Sequence, residues 1–517
     1  MRHHHLTSFF ATCLILSPPV AWAQEAAPLV QANPAEPVGG GPAGAGPATA
    51  DPAAAAAAPA PSPATASVVT TASAIVAPLE ATPVPAAPDA LAAPADEPLS
   101  LLPFKVTTST WTRFEGRANY DSLGVSRGRF LEGDAFFFRA RLGLQTNALK
   151  LGRDLKGLVQ FSPQASGKYG LGGTQTEHNL GLFEGYVRLD SSVFTIDFGR
   201  FAMNYGEALI IGSLDWAQQA RAFDGVRGRY KLGDKAYVDA FGTLAAPDGV
   251  SPAEGHPLVN DPFAAGDSYF WGVYAGLGAL VLDKNFDLDA YVLGNSNVAS
   301  NGLPNVLDAT TTLNRGGATE VTFGGRIKQK ISEFDYRLEA GLQTGTRPVT
   351  VVAPALGGNQ NVLAWQLDGE LGYNVIKQVH LALYGAVASG DDASTTTNEG
   401  WHELYPTGHK WFGLSNVIGA RTNVADVAVK VSWGINETLK FLLDAHLFSR
   451  LQDGGLGQVG TNKLAGYELD TQLQQRIGGP TGPFYVRGLY GLFIPNSGHY
   501  ATNDLAHYVE AEGGLVF

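Results

Sequence analysis

Arg139 and Arg141 stand two residues apart, and so do Arg227 and Arg229. In an extended chain that spacing places both guanidiniums of a pair on one face. A guanidinium stays protonated and presents a planar fork that matches a carboxylate, so such a face is chemically suited to holding or steering acidic groups. Arg188, Arg200, Arg326 and Arg337 sit in comparable alternating surroundings and complete a set of eight. Asp287, Asp289, Asp368, Asp444 and Asp470 alternate in the same way. Each arginine therefore has two readings: a contact for a passing anion, or an ion pair with a nearby carboxylate, as Glu339 beside Arg337 would allow. The aspartates could be the other half of a selectivity ladder or could satisfy the arginines, and the second is the better reading. A different chemistry is conceivable around His402, Glu403 and His409, with Asp391 and Asp392 upstream, where a His–carboxylate pair could activate a serine. However, no serine lies in a nucleophile-elbow context, and His-Glu lacks the second His one helical turn later that zinc binding needs.

The elements that must carry these residues are strands. The chain has 63 Gly and 10% aromatic residues but only two Met, a balance that suits pleated surfaces and tight turns. From Phe334 to Gln343 the split is complete: Phe334, Tyr336, Leu338, Ala340 and Leu342 on one face, Asp335, Arg337, Glu339, Gly341 and Gln343 on the other. Asp134 to Gln145 divides likewise, with Arg139 and Arg141 on the polar side. So do segments 226–231, 286–292, 321–328, 363–374, 426–433, 441–448 and 466–474. Charge on the polar face nearly everywhere fits a water-filled interior with an apolar face towards lipid. About eighteen such runs between Phe104 and Phe517 predict an all-β fold, a transmembrane antiparallel β-barrel of about eighteen strands. A barrel of that size encloses an aqueous channel unless loops fill it. The longer intervals 204–221, 246–267, 296–318, 347–361 and 389–419 are expected to be extracellular loops or inward-folded constrictions.

The N-terminal residues give a matching compartment. Arg2 with His3, His4 and His5, the apolar run Phe9 to Leu16 and Ala21-Trp22-Ala23 read as a Sec-type signal peptide over residues 1–23. The lone Cys13 lies within it, so the mature chain would have no disulfide and no cysteine metal site. Residues 24–100 are an Ala/Pro-rich segment with few large apolar side chains, expected to be a disordered periplasmic linker. The net charge of −13 is partly a property of this leader: residues 1–100 hold one basic and seven acidic residues, leaving 34 minus 41, or −7, for residues 101–517. Nothing in that balance resembles a nucleic-acid-binding stripe.

Several segments of the barrel region resemble the alginate export family of outer-membrane porins. They are Arg139-Ala140-Arg141-Leu142-Gly143-Leu144-Gln145, Phe183-Glu184-Gly185-Tyr186-Val187, Asp197-Phe198-Gly199-Arg200, Asn204-Tyr205-Gly206-Glu207 and Arg221-Ala222-Phe223-Asp224-Gly225-Val226-Arg227. A later signature runs from Glu403 to Leu414 through Tyr405-Pro406-Thr407-Gly408-His409, the most specific piece, and Gly419-Ala420-Arg421-Thr422-Asn423 and Gly466-Tyr467-Glu468-Leu469-Asp470 follow. The resemblance implies an eighteen-stranded monomeric barrel with an arginine-lined path for an acidic polysaccharide.

The expectation is a pore in the outer membrane of a Gram-negative cell, passing anionic saccharides by diffusion or export. The solute would be an alginate-like polysaccharide or an acidic oligosaccharide, and the path would include Arg139, Arg141, Arg188, Arg200, Arg227, Arg229, Arg326 and Arg337. Other expected partners are outer-membrane lipid, the insertion machinery that reads the last strand ending in Phe517, and a periplasmic partner of the linker. No cofactor, metal, catalytic residue or nucleic acid is expected. The alternatives are an outer-membrane barrel enzyme and a structural or adhesive barrel plugged by its loops.

Overall fold

The computed structural model describes residues 104–516, apart from 127–130, 171–176, 234, 245–267, 283–284, 298–299, 306–307 and 353–356. The expected signal peptide and linker, Phe517, and the interval 246–267 lie outside the described residues. Eighteen antiparallel strands form the wall. The first half comprises β1 (Phe104–Ala118), β2 (Gly133–Thr146), β3 (Lys156–Gly170), β4 (Glu177–Asp190), β5 (Phe194–Phe201), β6 (Phe223–Lys231), β7 (Tyr237–Leu244), β8 (Ser268–Gly276) and β9 (Phe286–Asn297). The second half comprises β10 (Ala318–Ile331), β11 (Phe334–Val352), β12 (Gly358–Ile376), β13 (Val379–Ala388), β14 (Val424–Gly434), β15 (Leu439–Ser449), β16 (Leu464–Ile477), β17 (Phe484–Pro495) and β18 (Ala506–Val516). Each strand pairs with the next, and β1 pairs with β18 through Ser109↔Val516 to Ala118↔His507, which closes the ring and removes both sheet edges.

Alternation decides which face is which. On β11, Arg337, Glu339 and Gln343 are buried while Leu338 and Leu342 are more than 40% exposed. On β14, Val427 and Val429 are exposed and Asp426 is buried. Apolar side chains thus point out of the cylinder and polar ones into it, the inverse of a soluble barrel and the arrangement a lipid environment requires. β14 has eleven residues; at about 3.3 Å each and a tilt of about 40°, it covers about 28 Å, close to the hydrocarbon thickness of a bilayer. Outward aromatic residues cluster at one end of the strands: Phe104, Phe194, Phe334, Tyr373, Trp433 and Phe484 are all exposed. Phe334 and Tyr373 touch, with ring centroids 4.6 Å apart. Such a girdle marks a membrane–water interface.

The two ends differ. The connections 191–193, 332–333 and 377–378 are short turns at the girdle end, and Phe104 and Val516 lie at that end too. At the other end the connections 202–222, 389–423, 450–463 and 496–505 are long. Short turns face the periplasm and long loops the exterior in bacterial barrels. The expected loops 204–221 and 389–419 are observed close to their expected limits. The interval 296–318 holds a hairpin of its own, Ser300–Asn305 with Asp308–Arg315. The interval 347–361 is mostly not a loop, because β11 runs on to Val352 and β12 begins at Gly358, with pairing from Thr346↔Asn361 to Val349↔Gly358. These ends project beyond the lipid, so the hydrogen-bond ladder continues there without the apolar alternation.

Candidate functional site

Loops 202–222 and 389–423 leave the rim and fold into the lumen, where they meet. Ile211 and Tyr405 form a parallel β-bridge. Around it Gly212 N donates to Tyr405 O (2.7 Å), Tyr405 N to Ile210 O (3.0 Å) and Thr407 N to Ala208 O (2.9 Å). The Tyr405–His409 segment, expected to fold a loop, is therefore the strip by which one inward loop grips the other. Arg221 adds a donor to Pro406 O (3.1 Å) and another to Gly212 O (3.2 Å). Apolar side chains from both loops, including Met203, Ile210, Ile211, Trp401, Trp411, Phe412 and Ile418, are buried in one cluster with inward aromatics of the wall such as Phe223, Phe270, Tyr384 and Phe448. The result is a diaphragm across the lumen, held by packing as well as hydrogen bonds.

Its attachments reach walls far from the loops' own ends. From loop 202–222, Asp215 accepts from Arg141 on β2 (2.9 Å) and pairs with Arg139 (3.0 Å). Burial by itself would raise the Asp215 carboxyl, but the two guanidiniums outweigh it and hold Asp215 below the usual carboxylate range. Next to it, the guanidinium of Arg113 on β1 lies between the rings of Trp216 and Trp111, 4.3 and 4.5 Å from their centroids. Trp216 also stacks on His409 of the other loop, centroids 3.9 Å apart. Burial pushes the His409 imidazole down to about 3, so it is neutral at physiological pH.

Loop 389–423 is tied down by carboxylates of the wall. Arg421 meets Asp368 on β12 at 2.8 Å, and Asp368 also holds Arg337 of β11 (2.5 Å) and Tyr384 Oη (2.7 Å). On β16, Glu468 accepts from Ser415 N (2.8 Å) and Ser415 Oγ (2.6 Å), and Asp470 from Leu414 N (3.0 Å). Gly413 precedes this turn with φ +73, and a Cβ there would fall 2.3 Å from Glu468 Oε1. Only glycine admits both that backbone and that approach.

Seven of the eight arginines expected to line the path are inward; Arg200 is on the outward side, in step with exposed Phe198 and in register with Asp224, while Phe201 and Phe223 beside them are buried inside. Each of the eight meets a carboxylate. Arg139 and Arg141 share Asp215. Arg188 and Arg227 share Asp197 (each 2.6 Å), Arg200 pairs with Asp224 (2.5 Å), and Arg229 with Asp239 (2.7 Å). Arg326 holds Asp289 (2.7 Å) and Asp287 (3.1 Å), and Arg337 holds Asp368. The ion-pair reading thus applies throughout, although Glu339 is not the partner of Arg337. Of the five aspartates, Asp287, Asp289 and Asp368 hold arginines, whereas Asp470 docks loop backbone.

The more open cations are ones the sequence reading did not single out. Lys328 on β10 and Lys410 at the tip of loop 389–423 have side chains 44% and 42% exposed, against 2% for Arg139 and 20% for Arg347 among the ion-paired arginines. Both face Glu207 of loop 202–222, Lys328 at 2.5 Å and Lys410 at 4.0 Å, and Arg326 approaches it at 3.9 Å. Burial would raise the Glu207 carboxyl, but Lys328, Lys410 and Arg326 overcome it and bring it down to about 2. Lys328 lies two residues from Arg326 on the same face, so its position was readable. Lys410 had no periodicity to reveal it.

The histidine–carboxylate groups are used structurally. His402 Nδ1 lies 2.9 Å from Glu320, His409 Nδ1 accepts from Asn416, and Glu403 accepts from Arg421 N (2.5 Å). Ser415 Oγ, which donates to Glu468, is not directed at either histidine.

A closed eighteen-strand barrel with an outward apolar belt, short turns at one end and inward loops defines a porin of the outer membrane. Residues 180–462, more than half of the chain, match the family model for alginate export, and the chain belongs to that family. Solved structures with the same fold come from Pseudomonas aeruginosa. They include OccK5 (OpdH), at 13% identity and TM-score 0.50, covering 80% of this chain and 98% of that one. OpdK with vanillate, at 12% identity and TM-score 0.51, and OccK2 (OpdF) in complex with glucuronate, at 11% and 0.52, each cover 80% of this chain and 98% of their own. No curated protein matches the chain.

Proposed function

We propose that this porin carries anionic saccharides across the outer membrane, down their gradient, through a passage beside the diaphragm. The observation that carries this reading is the Lys328–Lys410 pair: two open ammonium groups facing a single carboxylate, with Arg326 behind them, where wall and both loops converge. The eight paired arginines support it differently. Their carboxylates cancel much of their charge, so they hold the wall and the loops and leave Lys328 and Lys410 as the more exposed cations. Vanillate and glucuronate, named with two barrels of the same fold, are both carboxylates, the class this cluster suits. Residues 1–23 would direct secretion and residues 24–100 would remain in the periplasm as a linker.

The interlocked loops favour a second reading, a barrel plugged by its own loops, which would pass nothing. The test is single-channel recording in planar bilayers with a salt gradient. Open steps with anion preference, reduced in a K328Q/K410Q variant, support the porin reading for anions. Absence of conductance supports the plugged barrel, and cation preference removes the acidic solute.

A further inference from the structure

We propose that Glu207 is an internal stand-in for the solute's carboxylate. It occupies a site built by Lys328, Lys410 and Arg326, and an acidic sugar passes by exchanging with it. This rests on the anionic-solute reading and adds to it a place, a competitor and a consequence for the rate of passage.

The geometry distinguishes Glu207 from the other carboxylates of the lumen. Asp197, Asp239, Asp289 and Asp368 belong to strands and are buried against arginines. Glu207 belongs to a loop, and two lysines with open side chains share it, so one carboxylate answers two ammonium groups. The third cation, Arg326, spends its Nε on Asp289 and its Nη2 on Asp287, while its Nη1 makes no hydrogen bond and lies 3.9 Å from Glu207. Lys410 is further placed by the ring of Trp411, 4.7 Å from Nζ. Gly206 sets the approach: its φ is +55, and a Cβ there would lie 2.7 Å from Arg326 Nε. Glycine at this point lets the loop bring Glu207 up to the three cations.

There is room beside it. A cavity of about 160 Å³ opens beside Gly206 and Arg326, lined also by Lys235, Tyr237, Asp287 and Asp289. Lys235 in its lining lies in the turn between β6 and β7, and Gly278 and Ala279 in a one-turn helix, Gly278–Val281, between β8 and β9, both at the short-turn end, so the cavity lies on the side from which a periplasmic solute arrives. A uronate carboxylate entering there meets Arg326 first, the cation that the cavity shares with the Glu207 site. Exchanging one carboxylate for another leaves the charge in contact with the three cations unchanged, while the displaced Glu207 stays on its loop and competes for return. It also keeps the solute's hold weak, and conduction requires binding that is favourable enough to admit and weak enough to release. A glutamine at 207 keeps the size and loses the competing charge.

The experiment uses the full-length protein in planar bilayers, with chloride current titrated by D-glucuronate and, in parallel, by D-glucose. Glu207→Gln is expected to lower the half-blocking glucuronate concentration roughly fivefold, the scale of removing one partly screened competing ion pair, and to lengthen single block events. Glucose should have no such effect, and Lys328→Gln should weaken the glucuronate block in either background. Glu207→Asp, whose shorter arm withdraws the carboxylate from Lys328, should show a smaller shift in the same direction and serves if Glu207→Gln does not insert. An unchanged half-blocking concentration in a channel that still prefers anions overturns the stand-in and leaves the anionic-solute reading intact. Cation preference of the unmodified channel overturns both.

Discussion

Asp368 is where the account of the diaphragm is most exposed to test. Its carboxylate has no solvent exposure and holds one guanidinium from the wall, Arg337, and one from loop 389–423, Arg421. Asp368→Asn preserves the shape and removes the charge. Removing one partner of a buried ion pair costs about 3–5 kcal/mol. With two guanidiniums sharing Asp368, about half of that, roughly 2 kcal/mol, falls on the attachment of the loop. At about 1.4 kcal/mol per factor of ten, the detached population should rise roughly 25-fold. The assay is single-channel recording, read as the fraction of time in states of higher conductance than the parent's main level. Heat-modifiable mobility on gels would establish that the barrel itself is intact. Arg421→Gln, which leaves the Asp368–Arg337 pair in place, should open the channel in the same way. A folded D368N barrel with the parent's conductance and open-channel noise would refute the assignment of Arg421 and Asp368 as a tether.

Other expectations follow from the same geometry. Trp216→Ala removes the ring between Arg113 and His409 and should destabilise the inward fold of loop 202–222 by about 3–5 kcal/mol, seen as protease cleavage within 202–222 of the inserted protein. Gly206→Ala, with φ +55 and its Cβ close to Arg326, should cost about 1–2 kcal/mol and lower the urea midpoint in detergent. The Glu207 carboxyl is depressed in the folded protein to about 2, so its stabilising contribution is present above the ordinary carboxylate pKa of 4.5 and is lost as the pH falls through about 2. Loop noise caused by Glu207 should rise only in that acid window and should be absent from E207Q. His409 acts at a higher pH: its imidazole is held neutral down to about 3, so stability falls as the pH drops below its ordinary 6.5 towards 3. His409→Asn should flatten the dependence of loop noise between pH 6.5 and 4.5.

The wall was legible in the sequence because lipid imposes a strict rule. Every second residue must be apolar across the membrane, and segments such as 334–343 obey it without exception. The rule stops where lipid stops, which is why the polar ends of β11 and β12 read as a loop although their ladder continues to Val349↔Gly358. Facing direction was legible for seven of the eight arginines; Arg200 falls on the outward face with Phe198, as its odd spacing from inward Asp197 shows, and the partners were less legible. Arg188 and Asp197 lie across a tight hairpin, nine residues apart, and could have been paired by register. Arg139 and Asp215 are brought together by a loop that crosses the lumen, and no periodicity encodes that. The same holds for Ile211 with Tyr405, although the Tyr-Pro-Thr-Gly-His segment did mark one half of that contact. Lys328, two residues from Arg326, is carried onto the same face by the same alternation.

The central claim is an aqueous passage whose selectivity is set where Lys328 and Lys410 face Glu207. Its most direct test is the reversal potential of the full-length protein under a salt gradient, compared with that of K328Q/K410Q. The account predicts anion preference in the parent and its loss in the double variant with open steps retained. Cation preference in the parent, or anion preference untouched by removal of both lysines, would contradict it.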